Sequence, residues 1–148
     1  MASNLGSYVV RVYQNATSTW ANIPNEMIAY ETYKVTPDQM IDLDSYVNEQ
    51  GKLVRNVLEH TRSKIEFNTP YCTDAKWMTV WNVIKGGFGW GGSAVNERKV
   101  RIQFYNPLTN TNDKATCYVP DIELPIRNVD FPNKIINYDP IRVAFIEY

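Results

Sequence analysis

At 148 residues, 44% of them hydrophobic, the chain has the size of one ordinary domain and enough apolar material for one core, so a single domain over 1–148 with no linker is predicted. Fifteen Lys and Arg are interspersed with sixteen Asp and Glu for a net charge of −1, so composition supplies no basic field to gather nucleic acid or an anionic membrane. The start, MASNLGSYVV, has neither a positive n-region nor an apolar h-region, and no apolar run approaches the ~20 residues of a membrane span, which predicts a product that stays in the cytoplasm where it is made, with no membrane partner.

From Ser7 to Tyr13 the run SYVVRVY is β-branched and aromatic and predicts a first strand, followed by QNATSTW as a polar loop. Ile23-Pro24-Asn25 is a turn signal, after which Met27 to Val35 reads as a second strand ending at Thr36-Pro37. The stretch from Thr36 to Pro70 predicts a long β-hairpin, Met40–Val47 and Lys52–Leu58, around the polar turn Asn48-Glu49-Gln50-Gly51. Each arm would be about 25 Å long, and because a two-stranded ribbon is marginal alone, it must lie on a core or on a neighbouring subunit. Two registers remain open: a four-residue loop sets Ile41 against Leu58 and Asp44 against Arg55, whereas a three-residue loop with Gly51 in a bulge sets Leu43 against Val57 and Val47 against Leu53. Lys64-Ile65-Glu66-Phe67 then alternates strictly, a third strand with one face turned to water or a partner.

One helix is predicted at about 73–85. Thr73 suits the N-cap, Asp74 puts a negative charge in the first turn, and Trp77, Val80, Trp81 and Ile84 share one face as a core seam. Gly86 is the expected stop. Gly86 to Gly92 (GGFGWGG) holds five of the seven glycines around Phe88 and Trp90, which reads either as a mobile loop that becomes fixed against another surface or as two aromatics folded back on their own core. Beyond it Val100, Ile102 and Phe104 alternate with Lys99, Arg101 and Gln103, residues 106–113 form a turn, and Lys114–Val119 returns as the partner strand. Ile122, Leu124 and Ile126 alternate in a segment that Pro120 and Pro125 confine to an edge, and Ile141, Val143 and Phe145 mark a last strand. About eight strands and one helix make the predicted class mainly β (α+β), a two-sheet β-sandwich or open barrel with a flanking helix.

Few residues suit catalysis. His60 is the only histidine, Cys72 and Cys117 have no neighbours at ligand spacing, and without a leader both cysteines are expected as reduced, buried thiols. Asp42 and Asp44 lie about 7 Å apart on one strand face, a spacing that an acid–base pair uses but that a solvated face opposite Lys52 or Arg55 explains as well. Gly87–Gly92 fits G-x-G-x-x-G but follows a helix instead of a strand, so the dinucleotide reading fails on context. No catalytic, cofactor-binding or metal-binding residue is predicted. Ten Tyr and four Trp keep carbohydrate binding as an alternative function, although protein interfaces use the same residues.

The succession Asp42-Leu43-Asp44-Ser45-Tyr46, the Gly51 turn, Leu53-Val54-Arg55-Asn56-Val57, Ser63 to Pro70, one helix, Glu97 to Val100, Phe104-Tyr105-Asn106-Pro107, Tyr118-Val119-Pro120-Asp121 and Ile141 to Tyr148 resembles small tail proteins of long-tailed phages and prophages, over about residues 28–148. The resemblance implies a tail-tube-like fold and a non-enzymatic subunit of a tube, distal tail or baseplate, assembling as a ring, usually hexameric, around a central channel in the virion tail. Its partners would be further copies of itself and other tail proteins, with DNA passing through the channel without sequence-specific contacts. Carried onto this chain, the hairpin becomes the ring-forming element and the glycine loop a contact loop, with Asp44, Tyr46, Leu53, Arg55, Phe88 and Trp90 as candidate interface residues.

Overall fold

A computed structural model describes residues 6–40, 45–55 and 62–148. Its strands are β1 (Val10–Gln14), β2 (Thr19–Asn22), β3 (Lys34–Gln39), β4 (Tyr46–Val47), β5 (Leu53–Val54), β6 (Arg62–Asn68), β7 (Cys72–Thr73), β8 (Lys99–Asn106), β9 (Thr111–Tyr118), β10 (Ile126–Asp130), β11 (Ile135–Tyr138) and β12 (Arg142–Glu147), with one helix, α1 (Asp74–Lys85). Seven strands form an open antiparallel sheet in the order β2-β1-β8-β9-β12-β6-β3; β10-β11-β7 form a second sheet and β4-β5 a separate ribbon. The class is therefore mainly β, as the strand patterning predicts, and the large sheet is not closed into a barrel.

Alternation decides which face of the large sheet is buried. Val10 pairs with Phe104, Val12 with Ile102, Ile102 with Ala115, Val100 with Cys117, Val143 with Phe67 and Phe145 with Ile65, so one face is apolar across five strands. Onto it α1 lays Trp77, Val80 and Ile84, and all these side chains join one buried cluster. The predicted seam is thus the core seam, with Trp81 half-buried beside it. The cap is also as read: the Thr73 hydroxyl accepts from the Lys76 N–H at 3.4 Å, and the Asp74 carboxylate accepts from the Ala75 N–H at 3.0 Å.

Several boundaries differ from those predicted. Met27–Val35 is not a strand: a 3-10 turn covers Asn25–Met27, with Ile23 and Met27 turned into the core, and β3 begins only at Lys34. That strand runs through Pro37, which is tolerated because β3 is the sheet edge and its pairing with β6 shifts register there. The supposed loop at Thr19–Trp20 is the start of β2, an edge strand paired only with β1. Ile122 and Leu124 lie in irregular chain instead of a strand, since Pro120 and Pro125 remove ladder donors on both sides. Pairing of β8 with β9 continues to Asn106↔Thr111, so the turn is shorter than 106–113. The β10–β11 hairpin was not anticipated; Asp130 closes its turn by accepting from the Asn133 N–H at 3.3 Å and side-chain amide at 2.9 Å.

Gly86 ends α1 as expected, in a right-handed conformation (φ −63°, ψ −17°). Close approach demands glycine here: a Cβ on Gly87 would stand 2.4 Å from Val12 Cγ1 and 3.1 Å from the Tyr13 carbonyl oxygen. The helix end is therefore pressed against β1, where Asn15 donates its side-chain amide to the carbonyls of Gly87 and Phe88, each at 2.9 Å.

Candidate assembly surfaces

The ribbon β4–β5 is the part of the described chain that the fold leaves by itself. Tyr46 faces Val54 and Val47 faces Leu53, the pairing expected of a three-residue loop. The Gly51 N–H donates to the Asn48 carbonyl at 2.9 Å, the Asn48 N–H to the Lys52 carbonyl at 2.8 Å, and the Asn48 side-chain oxygen accepts from the N–H groups of Gln50 and Lys52, each at 3.0 Å. Gly51 sits at φ +76°, the left-handed position such a loop reserves for glycine. Among the described residues no ladder joins the ribbon to either sheet, and Tyr46, Val47 and Leu53 are 56%, 64% and 61% exposed. Large apolar groups on both faces of a two-stranded ribbon are unusual for a chain that acts alone. Of the predicted interface residues, Tyr46, Leu53 and Arg55 are thus brought together and exposed, with Arg55 donating weakly to Met40 Sδ at 3.9 Å. Asp44 lies outside the described residues, as do Asp42, His60 and the outer parts of the long predicted arms.

Phe88 and Trp90 belong elsewhere. Phe88 packs edge-on against Trp81 at 5.7 Å between ring centroids, and Trp90 packs against Tyr13 at 5.0 Å, so both are half-buried on their own fold. Of the two readings of the glycine loop, the aromatics folding back is the observed one. A second exposed apolar surface was missed by sequence reading: Phe131 at the tip of the β10–β11 hairpin is 79% exposed, with Ile126, Val129 and Ile135 exposed along its arms. The Pro-Asn turn after Phe131 was the available signal for it.

The outer face of the seven-stranded sheet has a distinct character. At the ladder positions pointing away from α1 stand Arg11, Lys34, Arg62, Lys64, Lys99, Arg101, Lys114 and Arg142, and the one carboxylate among those positions is Glu66. Arg142 grips Glu66 through Nε at 3.0 Å and a terminal nitrogen at 2.6 Å. That hydrogen bond, with Lys64, Arg142 and Lys34 nearby, holds the Glu66 carboxyl below its ordinary range against the opposing effect of burial. Three further cations rest on neutral groups: Arg11 Nε donates to the Gln103 side-chain oxygen at 2.9 Å, Arg101 donates to the Thr116 hydroxyl at 2.9 Å, and Lys99 lies 4.8 Å from the Tyr148 ring centroid, while Lys64 stands 4.0 Å from the Glu66 carboxylate.

Between α1 and the chain at 121–124, a groove of about 480 Å³ is lined by Trp77, Trp81, Ile122, Leu124 and Tyr138 together with Arg98 and Asp121, whose charged groups are 3.7 Å apart. Both cysteines are free and buried. Burial pushes the Cys117 thiol up to about 12, with Glu147 adding to the effect and Arg101 opposing it; burial also raises Cys72, partly offset by a Thr69 hydrogen bond and by Lys76. Among the described residues no three His, Cys, Asp or Glu side chains gather where they would hold a metal ion, and no helix is long and apolar enough to cross a membrane.

Comparison with curated proteins gave no match, and comparison with solved structures gave none. Residues 15–148 match a family model described as a family of unknown function, DUF6711. With nearly the whole fold inside that match, from the end of β1 to the last strand, the chain belongs to the DUF6711 family.

Proposed function

We infer that the chain is a non-enzymatic structural subunit of a phage or prophage tail, of the tube or baseplate kind, which associates with its own copies into a ring around a central channel. The observation that carries this reading is the ribbon: β4–β5 holds a well-formed turn and register, yet no ladder among the described residues joins it to either sheet, and Tyr46, Val47 and Leu53 stand exposed while Val54 is half-buried. Isolated hairpins are marginal in water, so a specified and apolar ribbon points to a surface supplied by another molecule. The exposed β10–β11 hairpin offers a second contact, suited to other tail proteins. The resemblance in segment order supplies the hexameric ring, the tail-tube-like fold and the virion as the place of action.

Light scattering on a sizing column, followed by negative-stain imaging, tests the proposal. A discrete oligomer with annular projections is expected, and a strict monomer at high protein concentration would overturn it. A carbohydrate-binding reading draws on the Trp77–Trp81 groove, where stacked indoles 6.3 Å apart adjoin an Arg–Asp pair, an arrangement suited to a sugar ring with its hydroxyls. A monomer that binds glycans, and loses binding on Trp81→Ala, would install that reading instead.

A further inference from the structure

Strand register gathers on one sheet face a basic field that the near-zero net charge conceals. Eight of the fifteen Lys and Arg, but one of the sixteen carboxylates, stand at the outward ladder positions of the seven-stranded sheet. The two ends of that face differ. Around β12, β6 and β3 the charges answer one another, with Glu66 bonded to Arg142 and 4.0 Å from Lys64. On β1, β8 and β9 the outward positions carry Arg11, Lys99, Arg101 and Lys114 and no carboxylate. Each of these four leans on neutral groups: Arg11 on Gln103 and the Tyr8 and Trp20 rings, Arg101 on Thr116, Lys99 on the Tyr148 ring and Lys114 on the Trp20 ring. Such partners fix the direction of a side chain and leave its charge uncompensated. None of the four is buried, Lys114 being exposed and the others half-exposed.

We propose that this four-cation patch grips the phosphate backbone of a nucleic acid without reading its sequence. Charge complementarity selects the occupant. In register the four positions span about 14 Å along the strands and about 10 Å across them, at ~3.4 Å per residue and ~4.8 Å per strand. A DNA duplex carries one phosphate charge per ~1.7 Å of axis, about eight over that length, and one side of the helix presents about half of them. Four cations thus meet about four phosphates. Phosphates repeat identically along the duplex, so contact by charge alone carries no sequence preference. An anionic membrane is the weaker fit, because none of the exposed large apolar side chains described stands at the outward positions of β1, β8 or β9 to enter a bilayer beside the charges. With a net charge of −1 the chain as a whole does not draw a polyanion from afar, so the contact is short-ranged and sensitive to salt. The inference concerns a face of one copy and does not rest on the assembly reading.

The test is fluorescence anisotropy of a labelled random-sequence DNA duplex of about 30 base pairs, titrated with the full chain between about 50 and about 200 mM NaCl. A micromolar Kd at the lower salt, an affinity falling about a hundredfold over that range as four counterions are displaced, and equal affinity for a second duplex of unrelated sequence are expected. The pair Arg101→Gln, Lys114→Gln should raise Kd at least about tenfold and flatten the logarithmic salt slope by about two. The pair Lys76→Gln, Lys85→Gln makes the same charge change at exposed positions of α1, on the core side of the sheet, and should leave that slope unchanged. Circular dichroism checks folding, and Lys114→Gln alone, at an exposed position, repeats the reading with a slope change of about one if the face pair is unstable. No binding at about 50 mM NaCl, a loss that the α1 pair reproduces, or a preference above about tenfold between the two duplexes would overturn the inference. Retention on phosphatidylserine-containing vesicles that the face pair abolishes, without binding to DNA, would replace nucleic acid with membrane as the occupant. Light scattering on the same samples keeps the outcome separate from the assembly reading, which stands or falls on the oligomer alone.

Discussion

Gly87 is the position where the glycine loop meets the core, and Gly87→Ala probes that contact with one methyl group. The added Cβ would fall 2.4 Å from Val12 Cγ1, 3.1 Å from the Tyr13 carbonyl oxygen and 3.2 Å from Val100 Cγ1. An ordinary contact is about 3.5–4.0 Å, so Val12 or the loop must move by about 1 Å. Val12 cannot move freely: it is fully buried and held in register between Ala21 on β2 and Ile102 on β8. Overpacking of this kind costs about 2 kcal/mol, or about 6 °C in Tm for a domain of this size. Gly91→Ala serves as the internal control. Its Cβ meets nothing within 4 Å, but φ is +67°, so only the left-handed penalty of about 1 kcal/mol applies. Thermal and urea unfolding followed by circular dichroism at low protein concentration would measure both. A Gly87→Ala protein within about 0.5 kcal/mol of wild type, or a Gly91→Ala protein less stable than Gly87→Ala, would refute the placement of the loop.

Val47→Asp with Leu53→Asp should leave the urea midpoint of the monomer within about 0.5 kcal/mol of wild type, because both side chains are exposed, while abolishing the oligomer seen by light scattering; an unchanged oligomer would dissociate the ribbon from assembly. Glu66→Gln should cost about 0.5 kcal/mol at pH 7, the value of a largely exposed pair, since Arg142 is half exposed. The folded-state pKa of Glu66 is lowered, so its contribution is present above the ordinary carboxylate value and lost as pH falls through the lower folded value. The two unfolding curves should therefore converge as pH drops from about 5 toward 3, and a constant gap would refute the ion pair's role. Native Cys117, a thiol held up to about 12, should resist iodoacetamide at pH 8 and react promptly in guanidinium; rapid labelling of the folded protein would contradict its burial.

The elements read correctly from sequence are those whose signal is local. Thr73 with Asp74 marks the helix start because the cap is made within one turn, and the Asn48–Gly51 turn is recognised because its bonds close within five residues. Alternation in β6, β8 and β12 likewise foretells their buried faces. The failures have non-local causes. Thr19–Asn22 is polar enough to read as a loop and becomes β2 only because β1 offers it an edge, and Lys34–Gln39 accommodates Pro37 only because β6 pairs on one side. Gly86 is legible as the helix stop and is one, but that Gly87 lies too close to β1, more than 70 positions away in the chain, to carry a side chain is a long-range fact the local pattern does not show.

For the candidate surfaces, the sequence by itself determined that Tyr46, Leu53 and Arg55 flank a tight turn and that Lys99 and Arg101 alternate with buried residues, since strand periodicity places them without reference to other segments. Only the tertiary structure decided that the turn belongs to a ribbon detached from both sheets, that Phe88 and Trp90 turn inward, and that eight cations from six strands share one face. Which cations become neighbours depends on strand order and register, and those are chosen by the burial of the opposite, apolar face of the sheet; a charge total along the chain carries no trace of that choice.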